Sequence, residues 1–263
     1  MHLVGQRALQ IAVVLIGLNL DLEQLIASSV EYSALVSACV IMTLVVGLAL
    51  GSLIYDNRKY NLLVCSGTAI CGGTAVASLS TTIGARPEQT GIVLTIVFCL
   101  NAIALLIFPS IGEWLEMSQE QFGVWCAVAI HDTSSVIATA ARFGDDSAQI
   151  ATILKLLRTL WLIPLLILVS LVENRQHSRL GVPWFVGLFL LAAGLGTLLS
   201  IPDLLMYSSS WLSQTLLVIA LYSFGTEITR ANVLNFRGAV VFHGTALWMA
   251  IATGSLLFIK ETV

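Results

Sequence analysis

Long apolar runs separated by short polar stretches follow one another along most of the chain. Nine of them reach or approach the length of about 20 residues that a helix needs to cross the hydrocarbon core of a bilayer. Lipid offers the backbone no hydrogen-bond partners, so such crossings are made by helices that satisfy their own backbone. The predicted spans are Leu9–Leu20, Ser33–Ile54, Asn61–Ile83, Thr90–Phe108, Phe122–Ala141, Ile150–Val172, Val182–Leu199, Trp211–Phe224 and Ala239–Ile259.

Composition narrows the class of protein. Hydrophobic residues make up 57% of the 263 positions and charged residues only 10%, whereas soluble chains carry about a quarter charged residues. This excludes a soluble enzyme, and the net charge of -3 offers no basic surface for nucleic acid. The sequence therefore predicts an all-α polytopic membrane protein, with residues 1–263 forming one integral membrane domain in the lipid bilayer.

The five cysteines all fall inside apolar stretches, at positions 39, 65, 71, 99 and 126. Disulfide frameworks and zinc sites need paired spacings in polar loops, so we interpret these cysteines as small buried hydrophobes. No metal or cofactor is expected.

The Lys and Arg residues predict an orientation, because cytoplasmic loops of membrane proteins are enriched in them. With nine crossings, seven basic residues share the side of Lys59, while Arg86, Arg142 and Lys260 lie on the other. The N-terminus is thus predicted to be cytoplasmic and the C-terminus external, with the acidic stretch 112–121 in the cytoplasm. The seven are Arg7, Arg58, Lys59, Arg175, Arg179, Arg230 and Arg237.

The third predicted span is dense in glycine and hydroxyl residues. Glycine weakens a helix interior by about 1 kcal/mol, and broken helices persist in membranes only where they are buried or line a cavity. A helix broken here offers N–H groups and a positive dipole end to an anion; the alternative is close helix packing through small residues. The candidate binding residues are Ser66, Gly67, Thr68, Cys71, Gly72, Gly73 and Thr74.

Five consecutive polar residues interrupt the fifth predicted span, at positions 131–135. A charged side chain at mid-membrane is costly and usually marks an ion or proton path. We expect His131 and Asp132 to couple protons or ions, and Thr133, Ser134 and Ser135 to contact the substrate. The alternative is a structural cluster of hydrogen bonds that ties helices together.

Two basic residues lie within the sixth predicted span. Lys155 and Arg158 are three residues apart and share one helix face, so they would add positive charge to the same binding pocket. Lys155 has the alternative of extending to the outer interface, which is harder for the deeper Arg158. Pro164 is predicted to kink this span. In the fourth span, Asn101 is interpreted as a residue that joins helices by hydrogen bonds, in preference to a ligand contact.

Four motifs in this order resemble the YeiH-like family of bacterial inner-membrane proteins. They are Ser66-Gly-Thr-Ala-Ile-Cys71-Gly-Gly, Ala129-Ile-His131-Asp132-Thr-Ser-Ser-Val136, Lys155-Leu-Leu-Arg158 with Pro164, and Val182-Pro-Trp-Phe185. The resemblance covers essentially the whole chain and implies a sulfate exporter of the inner membrane. It also implies an inverted-repeat bundle with interrupted helices, typical of secondary transporters, and family members begin with about two further helices. Within the chain itself, residues 217–225 weakly repeat residues 9–17.

The leading hypothesis is a secondary transporter that exports a small anion, such as sulfate or an organosulfonate, with a homo-oligomer as one option for its assembly. A cation or organic-ion transporter coupled to protons or sodium through Asp132 is the alternative, although Lys155 and Arg158 would repel its substrate. A shortened, inactive member is a further alternative. An enzyme is not expected, because Asp132 is the one acidic residue deep within a predicted span and the chain has no P-loop.

Overall fold

The computed structural model describes residues 22–172, 184–198, 203–225 and 238–263, with a few positions before residue 22. Within these ranges the chain is helical and contains no strand. The predicted span Leu9–Leu20 falls mostly outside them, as do Arg175, Arg179, Arg230, Arg237 and most of the first copy of the weak repeat.

Eleven helices make up the described ranges. In chain order they are α1 (Leu22–Ile54), α2 (Arg58–Ala69), α3 (Gly73–Thr82), α4 (Pro87–Trp114), α5 (Gln119–Ala129), α6 (Thr133–Ala141), α7 (Asp145–Leu160), α8 (Leu162–Val172), α9 (Trp184–Leu198), α10 (Asp203–Gly225) and α11 (Gly238–Thr262).

Among the described residues, four stretches of helix are long and apolar enough to cross a membrane. Besides α4 and α11 they are residues 30–54 of α1 and the consecutive helices α7 and α8 taken together. Large apolar side chains point outward from them, including Leu53, Leu106 and Leu171, which are 85%, 70% and 72% exposed. Such surfaces suit lipid tails, as the composition predicts.

The third predicted span does not cross the bundle; it folds back on itself. Its two halves, α2 and α3, lie side by side, because a Cβ on Gly67 would stand 2.8 Å from a methyl group of Val76. At their open ends, the Lys59 ammonium donates to the carbonyl of Gly84 at 2.7 Å. Residues 58–84 therefore form a re-entrant pair of half-helices, the first hairpin, which enters and leaves at one end of the bundle, the Lys59 end.

The fifth predicted span folds back in the same way. The rings of Phe122 in α5 and Phe143 after α6 are stacked with centroids 4.0 Å apart. Gly144 lies so close to Gln119 that a Cβ would stand 2.0 Å from its amide oxygen. Residues 119–144 thus form the second hairpin, which starts from the opposite end of the bundle, the Arg142 end, because α4 runs from one end to the other.

These two hairpins correct the predicted topology. Arms of 12 and 11 residues rise only about 16–18 Å, roughly half of the hydrocarbon core. Arg86 consequently lies at the Lys59 end, whereas the prediction placed it opposite Lys59. Residues 112–121 lie at the Arg142 end, although they were predicted on the side of Lys59.

The sixth predicted span is interrupted where the sequence predicts a kink. Pro164 has no N–H for a helical bond, and α7 ends at Leu160, one turn earlier, before α8 begins at Leu162. In the fourth span, by contrast, Pro109 lies inside α4, which continues to Trp114.

Aromatic and polar side chains anchor the second hairpin to the long helices. Trp125 stacks on Phe108 of α4 with ring centroids 4.0 Å apart, and its indole N–H donates to the Ala252 carbonyl of α11 at 2.9 Å. The Tyr32 hydroxyl of α1 donates to the carboxylate of Glu120 at 2.5 Å. The long helices therefore form a frame around the hairpins.

We expect cysteines that flank each hairpin to be labelled from one side of the membrane. In a background without the native cysteines, Asp56→Cys and Glu88→Cys would react with an impermeant thiol reagent from the same side, because the first hairpin returns to its starting end. Glu113→Cys and Asp146→Cys would react from the other side. All four wild-type positions are exposed. Labelling of Asp56→Cys and Glu88→Cys from opposite sides would show that the segment between them crosses.

Candidate functional site

The tips of the two hairpins meet inside the bundle. The first tip is residues 70–72, between α2 and α3, and the second is residues 130–132, between α5 and α6. A Cβ built on Gly72 would lie 3.4 Å from the Cβ of His131 and 3.5 Å from the backbone nitrogen of Asp132. The structure thus brings together the third-span and fifth-span motifs that the sequence marks as separate candidates.

Gly72 makes the first tip possible. Its φ of +53° lies in the left-handed region, which glycine adopts without the strain that other residues meet. Its N–H donates to the Gly67 carbonyl at 2.9 Å, and its carbonyl accepts from the Val76 N–H at 3.0 Å, which starts α3. The predicted break in the third span is therefore confirmed, and it falls within the glycine run.

Arg158 of α7 binds the inner ends of both arms. The guanidinium is 2% exposed and donates to the carbonyls of Thr68 at 2.5 Å and Ala69 at 2.6 Å, the end of α2. It also donates to the carbonyls of Ala127 at 3.0 Å and Val128 at 2.6 Å, the end of α5. Last-turn carbonyls have no helical partner, so one side chain caps two helices.

Lys155, one turn before Arg158 on α7, caps the second tip. Its ammonium is fully buried and donates to the Ile130 carbonyl at 2.7 Å. The alternative in which Lys155 extends to the membrane interface is therefore excluded. Each helix C-terminus carries about half a negative charge, and the two ends at Arg158 together offset one guanidinium.

Asp132 forms the N-cap of α6. Its carboxylate accepts from the Ser135 N–H at 3.1 Å, from the Ser135 hydroxyl at 3.4 Å and from the Ser134 hydroxyl. A carboxylate at a helix N-terminus satisfies free N–H groups and is favoured by the dipole. Asp132 is half-buried, whereas Ser134, Ser135 and Thr133 are buried.

His131 is paired with Asn101 of α4. The amide oxygen of Asn101 accepts from the His131 backbone N–H at 3.1 Å and lies 3.2 Å from the ring Nδ1. Asn101 was predicted to join helices by hydrogen bonds, and it does join α4 to the second tip. Among the described residues, however, its amide nitrogen and His131 Nε2 are two of the three buried side-chain polar atoms without a hydrogen-bond partner.

The remaining third-span candidates divide between the arm and the tip. Ser66 and Thr68 are buried in α2, and the Ser66 hydroxyl donates to the carbonyl of Leu63 in its own helix at 3.1 Å. Cys71 is buried within the first tip. Gly73 is half-buried and Thr74 is exposed in the first turn of α3. Because the cap position of α3 is Gly72, no side chain caps that helix from there.

Three formal charges lie around the tips. Lys155 and Arg158 contribute two positive charges and Asp132 one negative charge, which leaves one positive charge in the interior. Carbonyl ends of α2 and α5 offset part of this charge, while the N-termini of α3 and α6 add to it. The described side chains therefore leave an excess of positive charge at the tips.

A sixty-residue offset relates the two hairpins, and the sequence prediction missed it. Asp132 corresponds to Gly72 and His131 to Cys71, while Lys59 and Gly84 correspond to Gln119 and Gly144, which also meet in space. Identical residues occupy the paired positions Val64 and Val124, Ala69 and Ala129, Ile70 and Ile130, Val76 and Val136, and Gly84 and Gly144. An alignment of the chain with itself at this offset is the signal that would have paired the two tips.

Comparison with known proteins identifies a broad set of relatives. Residues 1–242 match the family described as conserved hypothetical protein 698. A UPF0324 membrane protein of Photobacterium profundum is 38% identical over 98% of this chain and 79% of its own length. UPF0324 membrane proteins of Bacteroides thetaiotaomicron and Geobacter sulfurreducens are each 34% identical, over 95% and 96% of this chain and 77% and 81% of their own lengths. No solved structure matches.

We expect Arg158→Gln to lower the free energy of unfolding by about 3–5 kcal/mol, because several buried carbonyls lose their donor and each unsatisfied buried group costs about 1–3 kcal/mol. The variant leaves carbonyls at the ends of two helices without their donor. The matched control is Arg142→Gln, since Arg142 is exposed and makes a 3.5 Å contact with the Leu105 carbonyl; it should change stability by less than about 0.5 kcal/mol. Unfolding by SDS in mixed micelles measures both, and equal effects would contradict the capping role.

The two neighbouring glycines at the first tip should respond differently to alanine. Gly72→Ala is expected to cost about 1–2 kcal/mol, because the left-handed backbone disfavours a Cβ and Val97 lies 3.1 Å away. Gly73→Ala should be neutral or stabilising, since Gly73 is helical and its nearest neighbour would be 3.7 Å away. The thermal midpoints of the two purified variants test this, and the opposite ranking would contradict the tip geometry.

Proposed function

The chain belongs to the YeiH-like membrane protein family, described as conserved hypothetical protein 698, and we propose that it is a secondary transporter of a small anion. The proposed substrates are sulfate or an organosulfonate, exported across the bacterial inner membrane. The meeting of two re-entrant hairpins tip to tip around buried positive charge is the observation that carries this proposal.

The broken helices near the middle of the membrane support a transport function. Polar backbone at this depth is tolerated only where protein or a water-filled cavity satisfies it. Secondary transporters use discontinuous helices for that purpose, with half-helix ends directed at the substrate near the midplane. Here the inner ends of four half-helices, α2, α3, α5 and α6, converge on one place.

The distribution of donors at the tips favours an anion. In the proposed mode, the N-terminus of α3 binds an oxyanion through the N–H groups of its first turn and the hydroxyl of the exposed Thr74. The position that would supply a capping oxygen, Gly72, has no side chain. Sulfate and sulfonate groups present several acceptor oxygens and carry the charge that a helix N-terminus attracts.

Lys155 and Arg158 take a different part in this proposal from the one the sequence suggested. Arg158 donates to carbonyls of both arms and Lys155 donates to the Ile130 carbonyl, so we assign both a role through their charge and not through direct contact with the anion. They raise the potential at the tips and hold α2 and α5 in place. A cation carrier that uses the half-buried Asp132 is the competing function, but Asp132 already caps α6.

The proposed orientation places the Lys59 end in the cytoplasm. Among the described residues, Arg58, Lys59 and Arg86 lie at that end, and Arg142 and Lys260 lie at the other. Such an excess is typical of cytoplasmic loops. The C-terminus would then be external and the N-terminus cytoplasmic.

Flux of radiolabelled sulfate into proteoliposomes tests the proposal. Wild type should transport sulfate faster than empty liposomes, and Thr74→Val should be slower by about tenfold, the equivalent of one hydrogen bond of about 1.4 kcal/mol to an anion. The control is Thr253→Val, because Thr253 is exposed and its hydroxyl donates within its own helix to Met249 at 2.6 Å.

The possible outcomes separate the competing functions. Sulfate or methanesulfonate flux that is lost in Thr74→Val and kept in Thr253→Val supports the anion site. Sodium-dependent flux that is indifferent to the anion would favour the cation carrier. Absence of flux for every anion tested, from a folded protein, would overturn the proposal.

A further inference from the structure

Two buried polar atoms at the second tip have no partner in the described part of the chain. They are the amide nitrogen of Asn101 and Nε2 of His131, whose side chains are 2% and 1% exposed. A buried polar atom without a hydrogen bond normally lowers the stability of the fold by about 1–3 kcal/mol. Such an atom in a native structure therefore suggests a functional role. Neither atom takes part in the anion site proposed above.

The hydrogen bonds of Asn101 fix the proton position on His131. The backbone N–H of His131 can only donate, so the Asn101 atom 3.1 Å away is its oxygen. That oxygen also lies 3.2 Å from Nδ1 and cannot donate, so Nδ1 carries a hydrogen. In the neutral ring, Nε2 then has a free lone pair, which is the atom that gains a proton when histidine becomes charged.

Two cations of α7 bind the backbone next to His131. Lys155 donates to the Ile130 carbonyl at 2.7 Å and Arg158 donates to the Val128 carbonyl at 2.6 Å. Asp132 follows His131 in the chain, but the carboxylate is bound by the N–H and hydroxyl of Ser135. Asn101 of α4 is uncharged, and the first tip contributes the thiol of Cys71. Two cations and one engaged carboxylate therefore face this ring.

We propose that His131 Nε2 binds the coupling proton of transport, and that it does so together with the anion. This inference rests on the proposed function. An anion at the tips supplies the negative charge that offsets the two cations, so its presence favours the proton. By linkage, the proton favours the anion to the same degree. Asn101 is the positioning residue that keeps Nε2 available.

The proton balance of the step is simple. A proton from water adds to the lone pair of Nε2, and the ring then carries hydrogens on both nitrogens and one positive charge. At 1% exposure the ring exchanges protons with neither side in this conformation, so uptake and release occur when the tips open to one side or the other. A divalent anion that moves with one proton still carries one negative charge outward, which a membrane potential negative inside favours.

The hydrogen bonds of Asp132 give its carboxylate a structural role in the cap of α6. The sequence suggested His131 and Asp132 together as the coupling pair. Protonation of Asp132 would weaken the cap of α6, because its carboxylate accepts the Ser135 N–H. Among the described residues, Nε2 of His131 has no hydrogen bond to lose when it gains a proton, and on that ground we assign the coupling proton to it.

Proton uptake on sulfate binding tests the inference. The purified protein is titrated with sodium sulfate near pH 7 in two buffers that differ in ionisation enthalpy, and calorimetry gives the protons taken up per sulfate. Wild type should take up close to one proton, and its affinity should rise up to about tenfold for each unit of falling pH, the limit for one linked proton. His131→Gln should bind sulfate without uptake and without this pH dependence.

His243 provides the matched control. It is also fully buried, but both ring nitrogens have partners, the Tyr55 hydroxyl at 2.7 Å and the Gly47 carbonyl at 2.9 Å. His243→Gln should therefore keep the proton uptake of wild type. Asn101→Asp is a second test that does not remove the ring. A carboxylate at that position would hold a proton on His131 beforehand, so uptake on sulfate binding should fall toward zero.

The results distinguish failure of the proton inference from failure of the proposed anion transport. Sulfate binding without proton uptake in wild type overturns the inference and leaves the anion carrier intact. One proton per sulfate in His131→Gln, or in Asn101→Asp if the first variant does not fold, overturns the assignment to Nε2. Absence of both sulfate binding and sulfate flux in wild type overturns the proposed function, and the inference with it.

Discussion

The rest of the structure depends on the hydrogen bonds that the buried guanidinium of Arg158 donates to the ends of α2 and α5. A helix that ends in mid-membrane leaves its last carbonyls without partners, and an unsatisfied polar group in hydrocarbon costs several kcal/mol. Two such ends lie side by side here, and Arg158 donates to two carbonyls of each. The planar fork of arginine suits this task better than the compact ammonium of lysine. Its charge also opposes the two helix dipoles, so burying the cation and ending the two arms stabilise one another.

The two kinds of half-helix end at the tips have different partners. The C-terminal ends of α2 and α5 are satisfied by α7, while the N-terminal ends of α3 and α6 face them across the tips. Of those two, α6 is capped by Asp132, and α3 starts after Gly72, which has no side chain to offer. The anion site that we propose lies at the N-terminus of α3, where the cap position, Gly72, carries no side chain.

The sequence predicts the class of fold and the residues of the tips better than the path of the chain. Its glycine run and its five polar residues fall on the two tips, because irregular backbone at this depth demands small and polar residues. It does not reveal the fold-back, since about 24 apolar residues can cross a bilayer once or enter it and return. Charge counting does not help either, because each false crossing places the loop that follows it on the wrong side, as it does for Arg86. The partners of Lys155 and Asn101 depend on contacts between distant helices, which hydropathy does not encode.

The two hairpins differ at the residue that precedes their second half-helix, which is Gly72 before α3 and Asp132 before α6. In the proposed function this difference leaves the N-terminus of α3 to the anion, while Asp132 caps α6. An aspartate at position 72, in the place that Asp132 occupies sixty residues later, would place its own negative charge at the N-terminus of α3 and compete with an anion for the N–H groups there. Glycine instead allows the left-handed turn and brings the backbone of the first tip against His131. The proposed proton site thus lies beside the proposed anion site. A negative charge on one and a positive charge on the other attract each other across the contact between Gly72 and His131, where no side chain of Gly72 intervenes.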